Sequence, residues 1–379
     1  MKGCQLEPQP GKRSKPAPEW ISMGSDCSGL GSDRYALRLA GVKVTSKFAS
    51  EINPRVRDLY RAVHEVSDEI DRDATSPSRR APVDLYVAGP PCQSWSSAGK
   101  RAGLNDLQGR GIVFFSCLEY VKQSKPKVVV FENVLGLQRF FASEFLDILT
   151  ILKKSGYEVT WDVLNSLDSG APQSRPRIYI VAIRSDCLRH KFTFPQKLPM
   201  LPNIEMFLDK DIKTVRSFPP PMTDTVLKNI FAQTEKLKQA KVDTSRRTCF
   251  IDVFASPKFS QSKVELCPCI TATCGQQGGF YITNRQRMTT VKELGRLQGW
   301  PTECVTRMIN CPEVSLKHVR HSIGNGMTVT VLVRLLPRAL YCAGLLAEKP
   351  VDVWKHADCN KKGAKYKRLP DDMYEVVNI

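Results

Sequence analysis

Residues 21–51, ISMGSDCSGLGSDRYALRLAGVKVTSKFASE, carry the pattern that decides the fold. The apolar run at 21–24 predicts a strand, residues 33–39 predict a helix, and residues 42–50 predict a second strand. Strands and helices continue to alternate as far as residue 184. Such alternation is typical of a mostly parallel sheet with helices on both faces, so the sequence predicts an α/β, Rossmann-like fold.

The α/β pattern is interrupted once. Residues 190–285 are rich in Pro, Lys and Thr and show no long periodic segment, whereas order returns with a predicted helix at 291–297 and an apolar run at 327–346. We therefore expect a small inserted domain. The predicted organisation is a basic flexible arm at 1–18, a catalytic domain at 19–189 that returns at 286–348, the insertion at 190–285, and a charged tail at 349–379.

Composition narrows the class of protein. Hydrophobic residues make up 42% and charged residues 25% of the 379, which excludes a largely disordered chain. No apolar run approaches the ~18 residues of a membrane span, and the first residues lack the apolar core of a secretory signal. The thirteen scattered cysteines then predict reduced thiols in an intracellular protein, nuclear if the source is eukaryotic and otherwise in the cytoplasm or nucleoid. The net charge of +18 favours a polyanionic partner, with a merely basic enzyme as the alternative.

Two features predict a nucleotide-like cofactor at the first two strands. Gly29 and Gly31 follow the first strand, where glycine lets a ligand approach the backbone closely. Glu51 ends the second strand, where an acidic residue grips ribose hydroxyls in dinucleotide-binding sheets. The third glycine of the dinucleotide fingerprint is missing, so a nucleoside cofactor without a pyrophosphate fits better than NAD.

The sharpest chemical signal is Gly-Pro-Pro-Cys-Gln-Ser-Trp-Ser at 89–96, directly after a strand. Its two prolines present Cys92 at the carboxyl edge of the sheet, where a thiol of lowered pKa is a nucleophile. Glu132 ends another strand and can act as a base or, protonated, as a hydrogen-bond donor. Arg175 and Arg177 lie on one face of a strand, where paired guanidinium groups hold carbonyl or phosphate oxygens.

Seven segments in order resemble the C5-cytosine DNA methyltransferases. They are DCSGLG, FASEINP, GPPCQSWS, FENV, QSRPRIYIVAIR, RMTTVKELGRLQGWP and HSIGNGMTV, and they run from about residue 20 to residue 345. The resemblance implies a Rossmann-like methyltransferase fold that uses S-adenosylmethionine, with double-stranded DNA as the partner. It also implies that the insertion at 190–285 is a target-recognition domain.

The resemblance assigns the chemistry to four residues. Cys92 attacks C6 of a flipped-out cytosine, and Glu132 hydrogen-bonds N3 and the exocyclic amine. Arg175 stands where the family contacts O2 of the base, and Arg177 where it supports the catalytic pocket. Further positions that face the substrate are Gln93, Ser96 and Gln173.

Cofactor positions carry over in the same way. Glu51 takes the ribose hydroxyls and Ile52 lies against the adenine, while Asp71 has the best spacing for the adenine amine, with Asp68 and Asp73 as competitors. The remaining positions are Cys27, Gly29, Leu30, Gly31, Pro91 and Asn325. Cys27 replaces the aromatic residue usual in the first motif, which puts part of the cofactor affinity in doubt.

Several alternatives stay open at this stage. A tRNA-methylating branch of the family has a Cys-Phe-Thr hallmark in the insertion, which neither Thr248-Cys249-Phe250 nor residues 267–271 match. A catalytically inactive relative is disfavoured because Cys92, Glu132 and Arg175 are intact, and a dehydrogenase is disfavoured by the incomplete glycine fingerprint. Cys267, Cys269 and Cys274 lack the spacing of a zinc finger, so we expect no metal.

Overall fold

A computed structural model describes residues 17–67, 70–75, 81–91, 110–198, 203–210, 219–352, 365–368 and 374–377. Its centre is a six-stranded sheet with the strand order β2-β1-β3-β4-β6-β5. The strands are β1 (Ile21–Asp26), β2 (Val44–Ala49), β3 (Leu85–Ala88), β4 (Val128–Asn133), β5 (Tyr157–Asn165) and β6 (Pro176–Arg184). β1 to β4 run parallel to one another, and β6 runs antiparallel to both β4 and β5.

Helices cover both faces of this sheet. In chain order, the helices of the described residues are α1 (Ser32–Leu39), α2 (Pro54–His64), α3 (Arg110–Ser124), α4 (Gly136–Phe140), α5 (Ala142–Lys154), α6 (Asp224–Gln239), α7 (Ala272–Gln277), α8 (Val291–Leu297), α9 (Thr302–Ile309), α10 (Leu316–Asn325) and α11 (Val329–Cys342), of which α6 and α7 belong to the insertion. Alternate residues of the central strands enter two separate cores: Val87 packs with α1, α2 and α8 to α11, whereas Tyr86 packs with α3 and α5. Burial on both faces is expected of parallel strands. The predicted α/β, mostly parallel fold is thereby confirmed.

The insertion contains more regular structure than its sequence predicts. α6 is a helix of 16 residues in a region expected to hold no long periodic segment, so that expectation was wrong. The reason is that two of its inward positions are amides: Asn229 donates to Val253 O at 2.9 Å, and Gln233 donates to Ser260 O at 2.8 Å. Polar residues on the buried face hide the hydrophobic period from which a helix is inferred.

A second, antiparallel sheet lies in the same region, with the order β10-β9-β7-β8. Its strands are β7 (Cys249–Ile251), β8 (Ser262–Val264), β9 (Tyr281–Ile282) and β10 (Arg287–Met288). Phe250 and Phe280 from the insertion share one hydrophobic core with Leu294 of α8. The insertion therefore packs onto the main domain through a continuous core, and its sheet extends past residue 285.

The predicted charged tail also contains structure. An ion pair between Arg334 and Asp352, 2.8 Å long and almost fully buried, anchors residue 352 to α11. Farther on, β11 (Lys365–Arg368) and β12 (Tyr374–Val377) form an antiparallel pair. Within the residues that the structure describes, no helix has the length and apolarity to cross a membrane.

Candidate active site

The turn between β1 and α1 has the backbone shape of a ligand-binding loop. Cys27, Gly29 and Gly31 all adopt left-handed conformations, with φ of 52°, 55° and 71°. A Cβ at Gly31 would lie 2.2 Å from Nε2 of His64, so only glycine fits there. A Cβ at Gly29 would meet nothing within 4 Å, which leaves that side of the loop open to a ligand.

A buried carboxylate supports this loop from below. Asp26 is fully buried and accepts hydrogen bonds from Ser50 Oγ at 2.7 Å and Tyr86 Oη at 2.5 Å. Ser50 Oγ in turn accepts the backbone N–H of Cys27 at 3.3 Å. The network ties the carboxyl ends of β1, β2 and β3 together. The only signal for it in the sequence is an acidic residue at the end of an apolar strand.

The predicted cofactor residues converge at the end of β2. Glu51 accepts the backbone N–H of Gly29 at 3.2 Å through Oε2 and that of Asn53 at 2.9 Å through Oε1. Burial raises the pKa of the Glu51 carboxyl, although these N–H groups favour its charged form. Ile52 beside it is 80% exposed, an apolar side chain free to cover a flat ring.

Of the three competing aspartates, Asp71 lies beside Glu51. Its backbone pairs with the chain on both sides of Ser50, since Asp71 N donates to Ala49 O at 2.8 Å and Glu51 N donates to Asp71 O at 2.9 Å. Asp73 is exposed and accepts the N–H of Thr75 within its own turn. Asp68 lies outside the described residues.

Three other predicted cofactor positions differ in what they present. Leu30 is buried in the core, so only its backbone belongs to the loop. Pro91 is half-buried at the end of the turn after β3. Asn325 is exposed at the end of α10, and a Cβ at the adjacent Gly326 would lie 3.5 Å from Ser32 Oγ at the start of α1. The last motif therefore reaches the glycine loop from the far end of the chain.

The predicted catalytic acid lies beside the turn that carries the nucleophile. Glu132 Oε1 is 3.2 Å from Nε of Arg177, and both side chains are mostly buried, with 13% and 15% exposed. A Cβ at Gly89 would lie 3.7 Å from Glu132 Oε2. Cys92, Gln93 and Ser96 follow this turn and lie outside the described residues.

Arg175 braces three segments. Its Nη1 donates to Ile270 O at 2.6 Å and to Gly324 O at 3.1 Å, and its Nη2 donates to Gly326 O at 2.8 Å. Desolvation and the neighbouring charge of Arg177 lower the pKa of Arg175. Arg175 directly precedes β6, and its guanidinium joins that segment to the insertion and to the last motif, where the sequence predicts a contact with the base.

Gln173 is fully buried and has a similar bracing role. Its Oε1 accepts Ile270 N at 2.9 Å, and its Nε2 donates to Leu297 O at 3.0 Å and to Gln298 Oε1 at 2.8 Å. A side chain with both amide atoms engaged in the interior does not face a substrate, so the structure does not support the substrate contact that the sequence predicts.

The structure adds one residue to the site. Cys269 Sγ lies 3.7 Å from Nη1 of Arg175 and 3.8 Å from Nη2 of Arg177. The sequence pattern marked this cysteine only as a weak zinc candidate. Among the residues that the structure describes, no cluster of three or more Cys, His, Asp or Glu side chains could hold a metal ion.

Comparisons with known proteins agree with this geometry. The family model for the C-5 cytosine-specific DNA methylases matches residues 21–339. The Type II methyltransferases M.NgoBI of Neisseria gonorrhoeae and M.HaeII of Haemophilus aegyptius are each 30% identical over 306 residues, which cover 80% of this chain and 88% of theirs. The S. pombe Dnmt2 methyltransferase has a similar fold, with a TM-score of 0.61 at 19% identity over 85% of this chain and 98% of that one.

The family match covers most of the chain and includes each of the seven segments on which the resemblance rests. It confirms that resemblance and the expectation of an enzyme that methylates cytosine at carbon 5 in DNA. The chain belongs to the C-5 cytosine-specific DNA methylase family.

Proposed function

We propose that this protein transfers a methyl group from S-adenosylmethionine to C5 of a flipped-out cytosine in double-stranded DNA, through a covalent bond between Cys92 and C6. One observation carries the proposal. The Glu132–Arg177 pair lies beside the turn that leads to Cys92, and the glycine loop with Glu51 lies at the ends of the neighbouring parallel strands. In open α/β sheets, ligands bind at this edge.

The residues at the cofactor end suit a nucleoside. Glu51 offers carboxylate oxygens for two ribose hydroxyls, Ile52 offers an apolar surface for adenine, and the position of Asp71 beside Glu51 favours it for the adenine amine. Gly29 lets the ligand approach the backbone, because no side chain fills that space. When bound, S-adenosylmethionine supplies an electrophilic methyl group on its sulfonium.

At the other end of the site, the chain's own groups act on the base. Cys92 adds through its thiolate to C6, and Glu132 hydrogen-bonds N3 and the exocyclic amine as electron density moves onto C5. After methyl transfer, loss of the C5 proton restores the double bond and expels Cys92. Turning the base out of the helix costs a few kcal/mol, which interactions in the pocket must offset.

We assign the two arginines roles opposite to those predicted from sequence. Arg175 is 4% exposed and both of its Nη groups donate to backbone carbonyls of distant segments. The Arg177 side chain is 15% exposed, its Nη1 donates to the adjacent Pro176 O, and its Nε lies beside Glu132. Arg177 is therefore the better placed of the two to meet O2 of the base, and Arg175 holds the walls of the pocket. In this assignment Arg177 contacts the base and Arg175 supports the pocket, so both arginines contribute to the reaction in different ways.

Charge supports DNA as the partner. The chain has a net charge of +18, and Lys228, Lys236, Lys238 and Lys241 are exposed on or just after α6. Phosphate binding is the physical use for such a set, which supports the insertion as the target-recognition domain. Charge does not separate DNA from tRNA, because both carry a phosphate backbone. The tRNA alternative is disfavoured because Cys249 and Phe250, which come nearest to its hallmark, are fully buried on β7.

Bisulfite sequencing tests the proposal. Purified protein, S-adenosylmethionine and unmethylated duplex DNA should yield protected cytosines at a defined sequence, and Cys92→Ser should yield none. Methylation of tRNA with no protected cytosine in DNA would contradict it.

A further inference from the structure

A thiol from the insertion lies inside the cluster of charges at the proposed base pocket. Cys269 Sγ is within hydrogen-bonding distance of Arg175 and of Arg177, at 3.7 Å and 3.8 Å. The side chain is only partly exposed. The methyl-transfer steps proposed above make no use of this thiol.

Its position is fixed by the segments on either side. Cys267 N donates to Pro172 O at 2.8 Å, and Cys267 O accepts Ser174 N at 2.9 Å. On the other side, Ile270 N donates to the side chain of Gln173 at 2.9 Å. The backbone around Cys269 is therefore held against the segment that carries Arg175 and leads into β6, where Arg177 lies.

Among the described residues, Arg175 has no carboxylate to balance its charge. Arg175 is only 4% exposed, and it forms no ion pair with a carboxylate in the described part of the chain. Its acceptors other than Cys269 are the neutral carbonyls of Ile270, Gly324 and Gly326. Glu132 is the partner of Arg177. Buried charges require a partner of opposite sign, and among the described residues no carboxylate lies within ion-pair distance of Arg175.

We propose that Cys269 is ionised and serves as the second anion of this cluster, a positioning residue that holds Arg177 and, through it, Glu132. The proposal rests on the proposed function, in which Glu132 and Arg177 meet the target cytosine. Burial raises the pKa of the Cys269 thiol, but the two guanidinium groups more than offset burial and hold it below its ordinary value. The other ionisable groups near it are Cys267 and Cys274, whose own pKa values are raised chiefly by burial.

The consequence for catalysis follows from electrostatics. Without the thiolate, Arg177 loses one of its anionic contacts and is held less firmly beside Glu132. Glu132 then supports N3 of the base less well as charge develops, which slows the chemical step more than it weakens DNA binding.

Thiolate absorbance in the ultraviolet tests the ionisation directly and does not depend on activity. The difference spectrum between Cys92→Ser and Cys92→Ser/Cys269→Ser, followed with pH, isolates Cys269. We expect the absorbance step of Cys269 to have its midpoint below pH 9.0, the ordinary pKa of a cysteine thiol. The control is Cys92→Ser/Cys311→Ser. Cys311 is also partly exposed, and burial raises its pKa, so its absorbance step should lie above pH 9.0. A Cys269 step at or above that of Cys311 overturns the proposal.

Kinetics of single variants test the positioning role. Cys269→Ser should lower kcat by about tenfold with KM for DNA nearly unchanged, because Arg177 and Glu132 are then less well positioned in the transition state. Cys269→Asp restores the negative charge and should recover most of kcat, and Cys311→Ser should match the wild type. If Asp is no better than Ser, charge is not what Cys269 contributes. If the proposed function itself is wrong, the result is different: the wild-type protein does not methylate DNA.

Discussion

Removing the carboxylate of Glu51 should weaken S-adenosylmethionine binding far more than DNA binding. Each hydrogen bond from a ribose hydroxyl to an ionised carboxylate is worth about 1.5–3 kcal/mol. Glu51 also accepts the N–H groups of Gly29 and Asn53, so its removal loosens the loop that the cofactor approaches. The absence of both ribose hydrogen bonds weakens binding by about 3 kcal/mol as a lower estimate, which is roughly a hundredfold increase in Kd.

A graded series separates these contributions. Glu51→Gln keeps one carbonyl acceptor and should raise Kd by only about tenfold, and Glu51→Ala should show the full effect. Glu158→Ala, at an exposed position on the edge strand β5, is the matched control and should leave Kd unchanged. Isothermal titration calorimetry measures the cofactor affinity, and fluorescence anisotropy measures the DNA affinity. An unchanged Kd for Glu51→Ala would refute the assignment of the cofactor site.

Three further predictions concern stability and DNA binding. Burial lowers the pKa of His64 from 6.5 to about 3, so the unfolded chain binds more protons than the folded chain between these pH values. The free energy of unfolding should therefore fall by up to about 1.4 kcal/mol per pH unit on acidification through this range. Denaturant titrations should show that wild type and His64→Gln differ in stability at neutral pH and become alike in acid. Gly31→Ala should lower the free energy of unfolding by more than about 2 kcal/mol, because its Cβ would clash with His64. Gly29→Ala meets no atom and should lower it by only about 1 kcal/mol, because of its left-handed backbone. Equal destabilisation of the two variants in thermal melts would contradict this interpretation. Lys238→Ala and Lys241→Ala should each reduce the salt dependence of DNA binding by a slope of roughly one, with equal effects on all sequences, and a sequence-selective effect would indicate that these lysines bind bases instead.

Elements with local end signals are those that the sequence predicts well. α2 begins at Pro54 behind the N-cap Asn53, and α8 begins behind Thr290, whose capping box with Glu293 is complete in the structure. Both helices have the predicted bounds because these signals are short-range. α6 escaped prediction because tertiary acceptors, rather than apolar neighbours, satisfy its inward amides.

The same difference between short-range and long-range interactions decides which parts of the candidate site the sequence predicts. The spacing from the glycine loop to Glu51 reflects one strand and its end, so residue type and position suffice to predict that Glu51 lies beside this loop, where it accepts the N–H of Gly29. The acceptors of Arg175 and the environment of Cys269 come from segments about 95 and 150 residues away in the chain, and no local pattern reports on such long-range interactions. The sequence brings attention to both arginines, but the different contacts of Arg175 and Arg177 are visible only in the structure.

Covalent capture on DNA that contains 5-fluorocytosine tests the central claim most directly. Fluorine at C5 cannot leave as a proton, so the bond between Cys92 and C6 should persist after methyl transfer. Wild-type protein with S-adenosylmethionine should form a denaturation-resistant adduct that peptide mass spectrometry assigns to Cys92, and Cys92→Ser should bind the same DNA without forming it. An adduct of equal yield with Cys92→Ser, or one that maps to another residue, would contradict the covalent mechanism through Cys92.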